Sequence, residues 1–192
     1  MLLHNELIND IDCCALRSDE FALWWLGQHS FVLKFDEKIL YFDPFLSEHP
    51  ERLVPPLLDP SEIKNADSIF GSHDHADHID RNAWEQIAPL NTRTRFIVPE
   101  LLRNSLLEEL EIDPTQMIGV DDNLSVDIDG LRITGIASSH EFLDRDESTL
   151  HFPYLGYIII ADGLSITQEI PVYTRGCNKD LSNGILMLFL SP

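Results

Sequence analysis

The chain has 192 residues, enough for a sizeable core, and its 44% hydrophobic and 24% charged residues are those of an ordinary globular protein. Thirteen Lys and Arg stand against 33 Asp and Glu, a formal charge of −20. That field repels phosphate backbones and anionic lipid, so neither nucleic acid nor a membrane surface is expected as a partner. Neither a basic, apolar leader nor a membrane span is expected from these residues. Cys13, Cys14 and Cys177 form no disulfide framework, and Cys13–Cys14 is expected to be an incidental or buried pair rather than a zinc site. A reducing cytoplasm is the expected compartment.

Leu3, Leu7, Ile8 and Ile11 have a short helical spacing and predict an N-terminal arm over residues 1–20. Residues 22–26 and 30–35 predict a strand pair around a turn at Gly27-Gln28-His29, and Ile39–Phe42 a third strand after Asp36-Glu37-Lys38. Four prolines between His49 and Pro60 exclude a regular element there. Ser61–Lys64 suggests a short helical turn, and Asp67–Gly71 a buried strand. Asp80 is placed to cap a helix through Ile87, and residues 95–98 predict a strand before a helix over 99–110. Strands are expected at 117–120, at 131–137 after an Asp129-Gly130 turn, and at 154–161. Trp24, Trp25 and Trp84 are expected in the core.

The chemistry gathers at Ser72-His73-Asp74-His75-Ala76-Asp77-His78, an H-x-H-x-D-H stretch directly after a buried strand. From an extended loop His73 and His75 can point the same way, and Asp77 and His78 turn in from the next corner. Imidazole nitrogen with carboxylate oxygen suits Zn, Mn or Fe(II). One histidine here would be a strand cap; four donors at this spacing indicate a metal site.

This motif resembles that of the metallo-β-lactamase superfamily. Trp24–Phe31 followed by Leu40–Phe45 is similar to the branch of ascorbate-phosphate lactonase and related metal-dependent hydrolases, over about residues 20–168. The resemblance implies an α/β (α+β), metallo-β-lactamase-like αββα sandwich, of which residues 21–166 would form the N-terminal half. It implies that His73 and His75 share one metal with His140, while Asp77 and His78 serve a second. The lactonase pattern has an acidic residue near position 140, so the substrate is expected to differ. Asp77 would orient the nucleophile or take its proton. His29 and Asp43 are candidates for orienting the ligands; His151 is expected to be a surface histidine, with substrate contact as the alternative, and Arg81 a surface cation paired with Asp or Glu, with a substrate anion as the alternative.

Relatives continue past residue 166 into Gly-Asp-Thr or Gly-Asp-Ser, whose Asp bridges two metals, and later supply a last histidine. Here Thr167–Cys177 contains no Gly-Asp. With suitable codons, a one-base shift restores Thr-Gly-Asp-Thr, so residues 167–192 are expected to be a frameshifted, non-homologous tail of a truncated frame, leaving one metal where relatives hold two. Ile185–Leu190, if uncovered, would be prone to aggregate. The expected function is hydrolysis of a small-molecule lactone, ester or phosphoester by a metal-bound hydroxide. The alternatives are an inactive, truncated pseudo-enzyme with at most one metal, and a homo-oligomer joined through the open sheet.

Overall fold

The computed structural model describes residues 4–17, 20–161, 164–169 and 185–189. The fold is mixed α/β, rich in sheet, with few helices. It divides into two compact units, Met1–Val98 with Arg103–Ile118, and Pro99–Leu102 with Gly119–Pro192.

In the first unit, α1 (His4–Cys13) buries Leu7 and Ile11, four residues apart on one face. Its last carbonyls have no partner within the helix, and a buried ammonium meets them. Lys34 Nζ donates to Ile11 O at 2.8 Å and to Asp12 O at 2.7 Å. Strands β1 (Phe21–Gly27), β2 (Ser30–Phe35) and β3 (Lys38–Phe42) form an antiparallel meander. Gln28 and Asp36 take positive φ in its two turns. Parallel to β3 lies β4 (Ser68–Phe70), and parallel to β4 lies β5 (Arg95–Pro99). With β6 (Met117–Val120) the sheet order is β1-β2-β3-β4-β5-β6.

Trp84 is fully buried, but Trp25 is not in the core: it is 65% exposed. The cause is the period of two on an edge strand, where Phe21, Leu23 and Trp25 share the outer face of β1. The proline-rich stretch closes with a 3₁₀ turn, Pro60–Glu62.

α2 (Arg81–Ile87) begins at Asp80, whose carboxylate accepts from Ala83 N. The same buried carboxylate also accepts from Leu46 N, Ser47 N and Ser47 Oγ at 2.6–2.8 Å. One side chain thus caps the helix and pins the loop after β3. α3 (Glu100–Glu109) follows β5.

In the second unit, β7 (Ser125–Ile128), β8 (Leu131–Ala137), β9 (Leu155–Ala161), β10 (Leu164–Glu169) and β11 (Ile185–Phe189) lie in the order β11-β10-β9-β8-β7. All neighbours are antiparallel except β10 and β11. Sequence reasoning did not anticipate β7, whose Ser and Asp leave little apolar signal. The Asp129-Gly130 turn that joins it to β8 has positive φ at both residues, as a two-residue hairpin requires. Most of residues 167–192, the expected frameshifted tail, lie outside the described residues, and so does Cys177. Among the described residues no helix is long and apolar enough to cross a membrane.

Gly71 links β4 to the histidine loop, and its hydrogen is required by packing. A Cβ there would lie 2.6 Å from Ile79 Cγ1 and 3.0 Å from Trp84 Cη2, both on fully buried residues. Gly71→Ala should therefore destabilise the protein by about 1–3 kcal/mol, measured as a lowered urea midpoint with unchanged m-value.

Candidate metal centre

Parallel β3 and β4 end side by side, with Phe42 in register with Phe70. The residues just beyond them, Asp43 and Gly71-Ser72, therefore leave the sheet together at the carboxyl edge, where ligands of parallel sheets gather. Asp43 turns off at φ 43, its N–H donating to Phe70 O at 2.9 Å. Its buried carboxylate accepts at 2.8 Å from each of three donors: Ser72 N, Ser72 Oγ and the Nδ1–H of His78.

This arrangement fixes the protons of the rings. Ser72 has one hydroxyl proton, and it goes to Asp43. His73 Nδ1, 3.0 Å from Ser72 Oγ, must then donate to that oxygen, leaving Nε2 of a neutral ring with its lone pair. His78 Nδ1 is held by Asp43 and lies 3.1 Å from the same hydroxyl, so its Nε2 too is turned toward ligand duty. Burial disfavours a charged His78, but the hydrogen bond it donates to Asp43 and the charges of Asp43 and Asp77 outweigh it and raise the ring's pKa above the ordinary value.

The motif folds as a turn, with His78 N and Ile79 N both donating to His75 O. It brings together four of the expected donors. His73 Nε2 and His75 Nδ1 are 3.0 Å apart. Two nitrogens bound to one tetrahedral zinc at ordinary bond lengths stand about 3.3 Å apart, so the pair fits a single ion with almost no movement. These histidines form a cluster that could hold a metal. Asp77 Oδ2 is 3.9 Å from His78 Nε2. His73 is buried, while His75 is exposed and Asp77 partly so. His29 stacks on His78 with ring centroids 5.0 Å apart. Its own pKa is lowered by burial and by the neighbouring His78, against the opposing pull of Asp43 and Asp77.

The other expected residues have these places. Arg81 pairs with Asp74 and Glu109, each at 2.7 Å. In the second unit, His140 follows buried Ser138 and Ser139 beyond β8, exposed, with its ring centroid 5.9 Å from that of Tyr154. His151 Nδ1 lies 2.6 Å from Asp121 Oδ2. Sequence reasoning gave no role to Ser72 or Asp121 and saw Asp80 only as a cap. For Ser72 a signal existed: a hydroxyl directly before an H-x-H motif is placed to hold a ring nitrogen.

The family model described as a beta-lactamase superfamily domain matches residues 22–169. The chain belongs to the metallo-β-lactamase superfamily. Within that superfamily it is 26% identical over 144 residues to a UPF0173 metal-dependent hydrolase of Saccharolobus solfataricus, covering 75% of this chain and 58% of the relative. It is 28% identical over 105 residues to an N-acyl-phosphatidylethanolamine-hydrolyzing phospholipase D of Caenorhabditis elegans, covering 50% of this chain and 28% of the relative. Among solved structures, Igni18, a metallo hydrolase from the archaeon Ignicoccus hospitalis, shares the fold with TM-score 0.52 at 21% identity, over 76% of this chain and 58% of that one. The chain thus spans less than two thirds of the length of each of these relatives.

If Asp43 orients the ligands, Asp43→Asn should weaken Zn binding about 10–100-fold without unfolding the protein. Competition with a chromogenic chelator, alongside a thermal melt, measures both effects.

Proposed function

We propose that the chain is a metal-dependent hydrolase in which His73, His75 and His140 hold one divalent ion, Zn or Mn. Asp77 and His78 are the proposed ligands of a second, more weakly held ion. The observation that carries the reading is the 3.0 Å approach of His73 Nε2 and His75 Nδ1. Their orientation comes from the buried Ser72–Asp43 pair behind them. His140 enters by the superfamily pattern and by its place at the end of β8.

When bound, a divalent ion supplies a water of lowered pKa and a Lewis acid for the oxygen of the bond being cleaved. The protein's own contributions are orientation and proton handling. Asp43 and Ser72 hold two rings in one tautomer. Asp77, partly exposed beside His78, positions the attacking water or accepts its proton. His29 covers one face of His78 and limits its contact with solvent.

The substrate class proposed is a small lactone, ester or phosphoester. The phospholipase D relative favours a phosphoester. The charge of −20 favours a neutral ester or lactone, because an anion approaches against the field of the whole chain.

The test is metal content and turnover measured together. Protein purified without chelator should carry at least one equivalent of Zn or Mn by elemental analysis. It should hydrolyse one of γ-butyrolactone, p-nitrophenyl acetate or bis(p-nitrophenyl) phosphate. Dipicolinate should abolish the activity and added metal restore it, while His75→Ala, at an exposed position, should lose metal and turnover without losing its fold. Metal retained with no turnover on any of the three would leave a metal-binding module instead.

A further inference from the structure

Residues 25–28 of the β1–β2 hairpin and residues 51–54 of the loop after β3 face each other across a cavity of about 320 Å³. Both walls belong to the unit that carries the histidine loop. Three of the side chains that line the cavity are strongly exposed: Leu53 at 99%, Trp25 at 65% and Val54 at 57%. One exposed apolar side chain needs no explanation. Three that converge on one cavity from two separate segments mark a place where something apolar sits.

Both walls are tied to the turn that carries Asp43. On the hairpin side, Trp25 Nε1 donates to Gln28 O at 2.9 Å, so the indole is laid along the hairpin tip. The next residue is His29, whose ring stacks on His78. Ser30 then joins the hairpin to the turn: its Oγ donates to Asp43 O at 2.7 Å and accepts from Phe45 N at 2.9 Å. The opposite wall hangs from the same place. Arg52 Nη1 donates to Phe45 O at 3.0 Å and Nε to Val54 O at 3.1 Å, while the guanidinium lies 4.6 Å over the Phe45 ring. The cavity is thus fastened within two residues of Asp43, and one of its walls runs directly into His29.

We propose that this cavity is the acyl subsite of the hydrolysis proposed above, taking the short, uncharged alkyl chain of an ester, with Trp25 and Val54 as specificity-determining residues. The inference rests on the metallohydrolase reading and deepens it by naming a part of the substrate. Charge selects the occupant. Arg52, the cation of the lining, is turned to two carbonyls and an aromatic face, and Glu51 brings a carboxylate to the same wall. On a chain carrying −20, an anionic group gains nothing there. Chemistry selects it too. The indole N–H is already committed to Gln28, so the ring, Leu53 and Val54 offer contact without asking for a hydrogen bond. Size sets the limit. At about 320 Å³ the cavity lies near the lower end of small-molecule sites, which span about 300–1,000 Å³, so it suits a short chain rather than a lipid tail.

Full burial of a methylene strengthens binding about fourfold, and half burial about twofold. From p-nitrophenyl acetate to p-nitrophenyl hexanoate, four methylenes longer, the metal-loaded protein should gain about 15-fold in kcat/KM, chiefly through a lower KM. With metal content held equal, Val54→Asp, at an exposed position, should cancel that gain by raising the KM for the hexanoate, and Trp25→Ala should reduce it. No gain in the wild type, or a gain that survives both substitutions, would overturn the proposal and leave the hydrolase reading intact. No turnover on either ester would remove the hydrolase reading, and the subsite with it. Occupancy has a readout that needs no turnover. The neutral ketone 2-octanone, which offers no bond to hydrolyse, should shift the indole N–H signal of Trp25 in nitrogen-15 spectra and leave that of buried Trp84 in place. A Trp25 signal that stays put, or that shifts equally in Val54→Asp, would overturn the proposal.

Discussion

The Asp43 carboxylate is the constraint on which the candidate centre depends. It stands where one parallel strand ends and closes onto the loop leaving the next, accepting three hydrogen bonds at 2.8 Å in a buried setting. Hydrogen bonds to a charged acceptor are each worth about 1.5–3 kcal/mol, and a buried carboxylate stripped of them would be strongly unfavourable. The three bonds are therefore a condition of burying the charge at all. Their consequence for chemistry is indirect. Because the only Ser72 hydroxyl proton is committed to Asp43, the neighbouring rings must offer Nδ1–H inward and Nε2 outward. The donors are set before any ion arrives.

Packing supplies the rigidity that hydrogen bonds alone would not. Gly71 has space for nothing larger than hydrogen against Ile79 and Trp84, so the segment entering the histidine loop lies flush with the core. Beyond the loop, Asp80 ties the start of α2 to Leu46 and Ser47. Residues 71–80 are thus clamped at both ends, and the loop after β3 is held by the same side chain that caps the helix. A donor set prepared in this way binds an ion without ordering entropy at that moment, and whatever binds the folded state alone adds to its stability.

Much of this was legible in the sequence because its signals are local. Alternation gave β2 and β3, the Asp80 cap gave α2, and the H-x-H-x-D-H spacing located four donors. The contents that escaped are those made by tertiary proximity. Ser72 and Asp43 are 29 residues apart in sequence and meet only because β3 and β4 are parallel and in register, which neither segment announces alone. Asp121 and His151 are 30 apart and meet through a loop that folds on its own polar groups. The exposure of Trp25 follows from β1 lying at a sheet edge, a property of topology rather than of an apolar tripeptide. β7 escaped for the opposite reason: its alternation is real, but Ser125 and Asp127 weaken the apolar signal below recognition.

The charge of the chain bears on which substrate such a centre could serve. Arg81, the cation nearest the motif in sequence, is spent on Asp74 and Glu109. It is therefore a brace between the loop and α3 rather than a receptor for an incoming anion. An anionic substrate would then meet the field of a chain carrying −20 with little but the bound ion to attract it. That repulsion acts over a distance of about a Debye length, roughly 8 Å at physiological salt, and falls steeply beyond it. A neutral ester or lactone would be indifferent to that field, and an ion held by these residues would need only short-range contact to polarise its carbonyl. For the phosphoester class to prevail, the second ion would have to supply the compensating charge. On this electrostatic ground, substrate class and metal count at Asp77 and His78 are one question.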